Sequence, residues 1–362
     1  MKLLVFAHTP PPLHGQSAMV RLLLEGLRGD PELELFHVNA RLSRDAADIG
    51  RARAGKLGAL LGYCRAARQL QRQHAIDALY YVPAPAKRSA LVRDWIALGL
   101  LRRHFPKLVL HWHANGLGTW LRNDAGTLER NLTQRLLGRA DLSLVLAESF
   151  RADAAVLAPQ RIAVVPCGIP DPGPPPPRPP PPADAPWRVL FLGLGCAEKG
   201  LFDTVAAVRR LQEQGRPCVL TVAGAFASPE DAARFRQAIA GAGSTIRHVG
   251  LVAGADKHRL LLESDCLCLP TYYGAEGQPL VLLEAMAYDL PIVATRWRAI
   301  PDTVPPGLVR FVPPRDPAAL ASALWETRLA PPPPGAMRTH YLAHFTEARH
   351  LAALRSALAE LA

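Results

Sequence analysis

Short apolar runs recur along the chain, separated by segments with helical spacing. In residues 1–170 the runs are Lys2–Ala7, Leu33–Val38, Ala78–Val82, Leu108–His113, Leu142–Leu146 and Ile162–Val165. In the remainder they are Arg188–Gly193, Cys218–Ala223, Ile246–Val249, Cys266–Leu269, Pro291–Ala294 and Val309–Val312. Helical spacing covers Ala18–Leu27, Leu57–Gln73, Asp203–Gln214, Pro229–Ile239 and Pro279–Tyr288. Runs that are apolar throughout, rather than alternating, predict strands buried on both faces and therefore parallel sheets covered by helices. The fold class is α/β, with two Rossmann-like, doubly wound domains whose ligands bind beyond the carboxyl ends of the strands.

The sharpest break is Pro170–Pro186, where 11 of 17 residues are proline. Such a run sustains neither a helix nor a sheet ladder and favours an extended spacer. The expected organisation is a domain over 1–170, a linker over 171–186, a second domain over 187–335 and a terminal helix over 336–362, set off by Pro331–Gly335. The same proline run could also be a ligand for a proline-recognising module.

Composition narrows the class. Apolar residues make up 49% and charged residues 20%, which excludes a disordered or collagen-like chain. No apolar stretch is long enough to predict a membrane-spanning helix. MKLLVFAHTPPP reads as a first strand rather than a signal peptide. Six cysteines without a CxxC pair argue against a disulfide framework or a zinc ribbon, so a reduced, cytoplasmic setting is expected. The net charge of +11 is concentrated in residues 1–170, which hold 23 basic against 13 acidic residues. The asymmetry suggests an acidic partner, whether nucleic acid, an anionic membrane face or a phosphorylated substrate, unless it is a solvated arginine-rich surface; of these, no nucleic acid is the expectation. Arg51–Gln73 carries six basic residues and no acid, with Leu57, Leu60, Leu61, Cys64 and Ala67 on one helical face. That pattern predicts a basic amphipathic helix able to lie on an anionic membrane, although a packed helix with solvated arginines has the same pattern.

Candidate chemistry gathers in Leu269–Thr295, LPTYYGAEGQPLVLLEAMAYDLPIVAT. Glu276 falls in a loop, Pro279 where a helix begins, and Glu284 within that helix among Leu282, Leu283, Ala285 and Met286. A carboxylate so surrounded needs a partner or a ligand. Amides at a helix start suit a phosphate, and a carboxylate accepts hydrogen bonds from ribose hydroxyls. Other nucleotide motifs fail. Gly193–Leu–Gly195 lacks the third glycine of a dinucleotide fingerprint, which would fall at Glu198, and no GxxxxGK[ST] is present. No Asp-x-Asp occurs, and no metal ligand set is expected.

EGQPLVLLEAMA followed by DLPIVAT resembles the E-x7-E region of retaining family 4 glycosyltransferases of the GT-B fold, the glycogen synthase-like and mannosyltransferase-like group. PPPLHGQSAMVRLL (10–23) resembles that family's glycine loop, VVPCGI (164–169) the closing segment of its N-terminal domain, and FLGLGCAEKGLFD (191–203) the first strand and loop of its nucleotide-binding domain. The resemblance implies two Rossmann-like domains facing a central cleft, with the final helix crossing back to the first. It implies that Glu276 faces the transferred sugar, with His113 near that sugar as the second catalytic residue. Lys199 would meet the donor diphosphate, Glu284 the ribose, and Gly15, Gln278 and Leu280 would complete donor binding. His111, deeper on the same strand, is assigned to packing. A UDP- or GDP-sugar is the implied donor, with no cofactor and no metal. A glycan or lipid-linked acceptor in bacterial surface polysaccharide assembly is the implied destination, on the cytoplasmic side. In the family's proposed mechanism the acceptor attacks on the leaving-group face and the departing phosphate takes its proton. This chain departs from the pattern at Leu194, where an arginine is usual, at Asp289, and at Arg298–Ala299 in place of two glycines. Arg296 and Arg298 are candidate substitutes for the missing cation. A nucleotide-sugar epimerase of the same fold and a non-catalytic sugar-nucleotide-binding homologue are the competing readings.

Overall fold

The computed structural model describes residues 1–11, 14–42, 54–178, 182 and 184–361. The chain forms two compact units, Met1–Gly168 with Glu347–Ala362, and Ile169–Thr346. The first runs β1 (Lys2–Phe6), α1 (Gly15–Gly26), β2 (Glu34–Val38), α2 (Ala54–His74), β3 (Ala78–Tyr81), α3 (Arg88–Leu101) and β4 (Lys107–Trp112). It continues through α4 (Leu117–Asn123), α5 (Thr127–Leu137), β5 (Leu142–Val145), α6 (Arg151–Ala155) and β6 (Ile162–Val164). The second holds β7 (Trp187–Leu192), α7 (Leu201–Glu213), β8 (Cys218–Ala223), α8 (Pro229–Ala238), β9 (Ile246–His248), α9 (Gly254–Glu263) and β10 (Cys266–Leu269). Then follow α10 (Leu280–Ala287), β11 (Ile292–Thr295), α11 (Ile300–Thr303), β12 (Arg310–Val312), α12 (Pro317–Leu329) and α13 (Ala336–His344). The last helix, α14 (Glu347–Ala359), belongs to the first unit.

Each unit has a six-stranded parallel sheet, ordered β2-β1-β3-β4-β5-β6 and β12-β11-β10-β7-β8-β9. Central strands β3, β5, β10 and β11 are buried at every residue, as their unbroken apolar character predicts. In the second sheet the strand order reverses between β7 and β10, a topological switch point that opens a crevice at the strands' carboxyl ends.

The units divide at Gly168–Ile169, just before the proline-rich run, whose described residues group with the second unit. Its Arg178 guanidinium donates to the carbonyls of Leu261 and Leu262 and to Ser264, and Arg328 donates to the carbonyls of Pro182 and Ala185. Polyproline has no amides to pair with itself, so side chains hold it down. The terminal helix over 336–362 is two helices. Phe345 and Thr346 interrupt it, and Ile169 forms a parallel bridge with Thr346, so the two chain crossings lie side by side. α14 contributes Leu354, Ala357 and Leu358 to the core of the first unit. Burying each leucine contributes about 1.5–3 kcal/mol. Gly26 of α1 lets α14 approach closely: a Cβ there would lie 2.4 Å from Leu351 Cδ1.

The predicted amphipathic face of 51–73 also turns out differently. Leu60, Cys64 and Ala67 are buried, so that part of the apolar stripe faces the core, whereas Leu57 is half exposed and Leu61 partly exposed. Arg51 and Arg53 lie outside the described residues. No helix among the described residues is long and apolar enough to cross a membrane.

Candidate functional site

The switch point of the second sheet brings two loops together. The loop after β7 carries Lys199, and the loop after β10 carries Glu276, 77 residues away in sequence. Lys199 Nζ lies 2.9 Å from Glu276 Oε1 and 2.7 Å from Oε2. The Thr271 hydroxyl donates to Oε2 at 2.8 Å, and the Tyr273 ring centre lies 5.1 Å from the ammonium. Glu276 is buried in this arrangement. Burial, then Glu198 and Glu276, push the Tyr273 phenol above its ordinary value.

The loops are stitched to each other. Tyr272 N–H donates to the Glu198 carbonyl at 2.7 Å. Gly200 passes so close to Pro270 that a Cβ would lie 2.4 Å from its carbonyl oxygen, and its φ of 77° is left-handed, so only glycine fits. The loop after β11 braces the arrangement from behind: Trp297 Nε1 donates to the Tyr273 carbonyl at 2.7 Å and Arg298 Nη2 to the Gly274 carbonyl at 2.9 Å.

Helices α7 and α10 both start here, and neither carries a side-chain cap. Their free amides and positive dipole ends suit an anion. Pro279 is the residue before the helix (ψ 114°), so Leu280, not Pro279, is the first helical position. Leu280 is partly exposed, whereas Gln278 is buried and donates its amide to the Thr303 hydroxyl at 3.1 Å. Glu284 lies one turn further along α10 and is paired with Lys257 of α9, Nζ to Oε1 2.6 Å. That lysine is invisible to sequence reasoning, which asks only that Glu284 have some partner. Leu194, where the resembled family usually has an arginine, is 39% exposed. Both candidate substitutes are engaged elsewhere: Arg296 lies over the Phe311 ring at 4.4 Å, and Arg298 holds the Gly274 loop.

Gly15 and His113 belong to the first unit. Gly15 opens α1, whose start is capped: Ser17 N–H donates to His14 Nδ1 at 3.4 Å and His14 N–H to the Ser17 hydroxyl at 3.1 Å. His14 Nε2 also lies 2.8 Å from His8 Nε2. His113 follows β4, its ring centre 4.3 Å from that of His111. Burial, then His350 and His14, push the His113 imidazole down to about 3, so it is neutral at physiological pH. His111 is buried and bonded to the Tyr80 hydroxyl, which agrees with a packing role. Two open grooves, of about 880 Å³ along β2 and about 640 Å³ along β12, show no comparable convergence of ion pairs and helix starts. Among the described residues, no group of three His, Cys, Asp or Glu side chains is placed to hold a metal ion.

Over 100% of this chain and 99% of its own, sucrose-phosphate synthase from Thermosynechococcus elongatus superposes with a TM-score of 0.74 at 19% identity. The fold is GT-B. Anabaena HepE, solved in complex with UDP and glucose, shares the GT-B fold with a TM-score of 0.70 at 14% identity, covering 99% of both chains. Residues 186–327, within the second unit of the GT-B fold, match the family described as Glycosyl transferases group 1. The amylovoran biosynthesis glycosyltransferase AmsK of Erwinia amylovora is 31% identical over 146 residues, 38% of this chain and 35% of AmsK. The matches span about a third to a half of the lengths of the curated relatives, from 33% to 49%.

Proposed function

We propose that this protein is a retaining family 4 glycosyltransferase that moves a sugar from a nucleoside-diphosphate sugar to a glycan or lipid-linked acceptor in bacterial surface polysaccharide assembly. The observation that carries the reading is the Lys199–Glu276 pair at the switch point, flanked by two uncapped helix starts, with Glu284 one turn along α10. The group 1 match, the solved complex of HepE with UDP and glucose, and the stated role of AmsK support it.

In this reading the helix-start amides and Lys199 hold the donor diphosphate and stabilise its charge as the sugar leaves. Glu284 accepts hydrogen bonds from the ribose, and Leu280 offers an amide at the start of α10. Gln278 supports the loop from within. Glu276 faces the sugar. His113, being neutral, serves as a hydrogen-bonding group near the sugar rather than as a cation, and Gly15 admits the diphosphate to the backbone. The acceptor hydroxyl attacks on the face the nucleotide leaves, and the departing phosphate takes its proton. No cofactor and no metal take part, and the work is done on the cytoplasmic side.

A panel of UDP- and GDP-sugars tested by thermal shift, followed by nucleotide release with and without acceptor, checks this. The cognate donor should raise the melting temperature, because a ligand that binds only the folded state stabilises it. Transfer should persist in excess EDTA. Loss on chelation with rescue by magnesium or manganese would overturn metal independence, and no shift with any donor would overturn the donor reading itself. The replacement at Leu194 favours a second reading, a homologue that binds donor without turnover. It predicts the thermal shift and no nucleotide release under either condition.

A further inference from the structure

Each glutamate of the E-x7-E pair has its own lysine. Lys199 serves Glu276, and Lys257, in the first half of α9, serves Glu284. Lys257 and Glu284 are mostly buried, with side chains 28% and 16% exposed, and among the described residues only Oε1 of the carboxylate is taken. The backbones behind the pair share an anchor. The Arg178 guanidinium donates to the carbonyls of Leu261 and Leu262 at 2.6 and 3.2 Å and to Ser264, closing α9, and reaches the Tyr288 carbonyl at 3.5 Å, closing α10. The two helices that carry lysine and glutamate are thus tied by one side chain.

The terminal torsion of a glutamate is broad and almost free, so an unpartnered carboxylate loses freedom when a ligand pins it. A partner that pins it beforehand removes that loss from binding. Lys257 also balances the charge of Glu284, which would otherwise repel a diphosphate. We infer that Lys257 is a positioning residue for ribose recognition: by holding Oε1, it aims Oε2 of Glu284 at a ribose hydroxyl of a nucleoside diphosphate. This rests on the proposal that Glu284 is the ribose acceptor. Lys257 does not touch the reacting atoms, and its effect passes through Glu284.

A lysine that merely packed α9 against α10 would, when removed, weaken every nucleotide alike. The readout is therefore a ratio. Calorimetric titration of the full chain compares UDP with 2′,3′-dideoxy-UDP, and GDP with its dideoxy form, keeping whichever parent binds tighter. Wild type should prefer the parent by about tenfold or more, the effect of losing one charge-assisted hydrogen bond. Lys257→Met should bring that preference below about threefold whatever its overall affinity, and Lys257→Arg should restore most of it. A Lys257→Met preference equal to wild type overturns the positioning role while leaving Glu284 as ribose acceptor. A wild type with no preference overturns the ribose reading itself. Melting curves accompany each variant, and Lys257→Gln carries the same measurement should the methionine variant not fold.

Discussion

Lys199 is the cation that the diphosphate reading needs, yet its ammonium is already engaged by both oxygens of Glu276. An ammonium has three donors, so a diphosphate arriving at Lys199 competes with that carboxylate for them. In the proposed function Glu276 therefore acts against nucleotide binding while serving the sugar. Glu276→Gln removes the competing charge and keeps the shape. It is expected to tighten UDP or GDP by roughly 1 kcal/mol, about fivefold, while slowing transfer by about a hundredfold or more. Calorimetry beside steady-state rates measures both, and a glutamine variant that binds nucleotide more weakly than wild type would sink this account. Glu276 and Glu284 were legible from their spacing and family resemblance. Their lysines were not paired with them, because the partners lie 77 and 27 residues away and meet only through the sheet order.

Among the elements, α2 shows how one pattern serves two structures. Its acid-free basic character was legible, but Leu60, Cys64 and Ala67 are used by the core, leaving Arg65 and Arg72 outside. We propose that membrane contact by this helix is electrostatic. Each basic residue near an anionic surface contributes about 1 kcal/mol, and the attraction fades as the screening length falls from about 10 Å at 0.1 M salt to about 3 Å at 1 M. Sedimentation with anionic vesicles should occur at low salt and disappear at high salt, and Arg65→Gln with Arg72→Gln should weaken it. Equal sedimentation with neutral vesicles would exclude this mode. Departures from the pattern of the resembled family also acquire reasons at this scale. Asp289, where glycine is usual, keeps a left-handed φ of 53° and accepts hydrogen bonds from Gly335 N–H at 2.6 Å and Met337 N–H at 3.1 Å at the start of α13. An aspartate tolerates that conformation and supplies the cap that α13 lacks from its own N-cap residue, Gly335.

At the scale of the whole molecule, seven histidines of the first unit, His8, His14, His37, His104, His111, His113 and His350, give folding a pH dependence. Burial is the largest cause in each case: His8 falls to about 4 and His113 to about 3, and the other five are also lowered. In the unfolded chain each titrates near 6.5. Below that value the unfolded chain binds protons that the folded unit refuses, so stability is full above about 6.5 and declines as pH falls toward 4 and 3. Between about pH 7 and 5 most carboxylates remain ionised, which isolates the histidine contribution. Melting temperature should fall across that window, and His113→Asn should flatten the slope; a melting temperature constant from pH 7 to 5 would refute it. The apolar runs by themselves indicated the strands found among the described residues, their parallel packing and the doubly wound class, because strands buried on both faces, as β3, β5, β10 and β11 are, carry unbroken apolar runs. Tertiary structure alone decided that the proline run lies on the second unit, that the terminal helix breaks at Phe345–Thr346, and that each glutamate meets a lysine. Those outcomes depend on contacts between residues far apart in the chain, which local hydrophobic spacing does not encode.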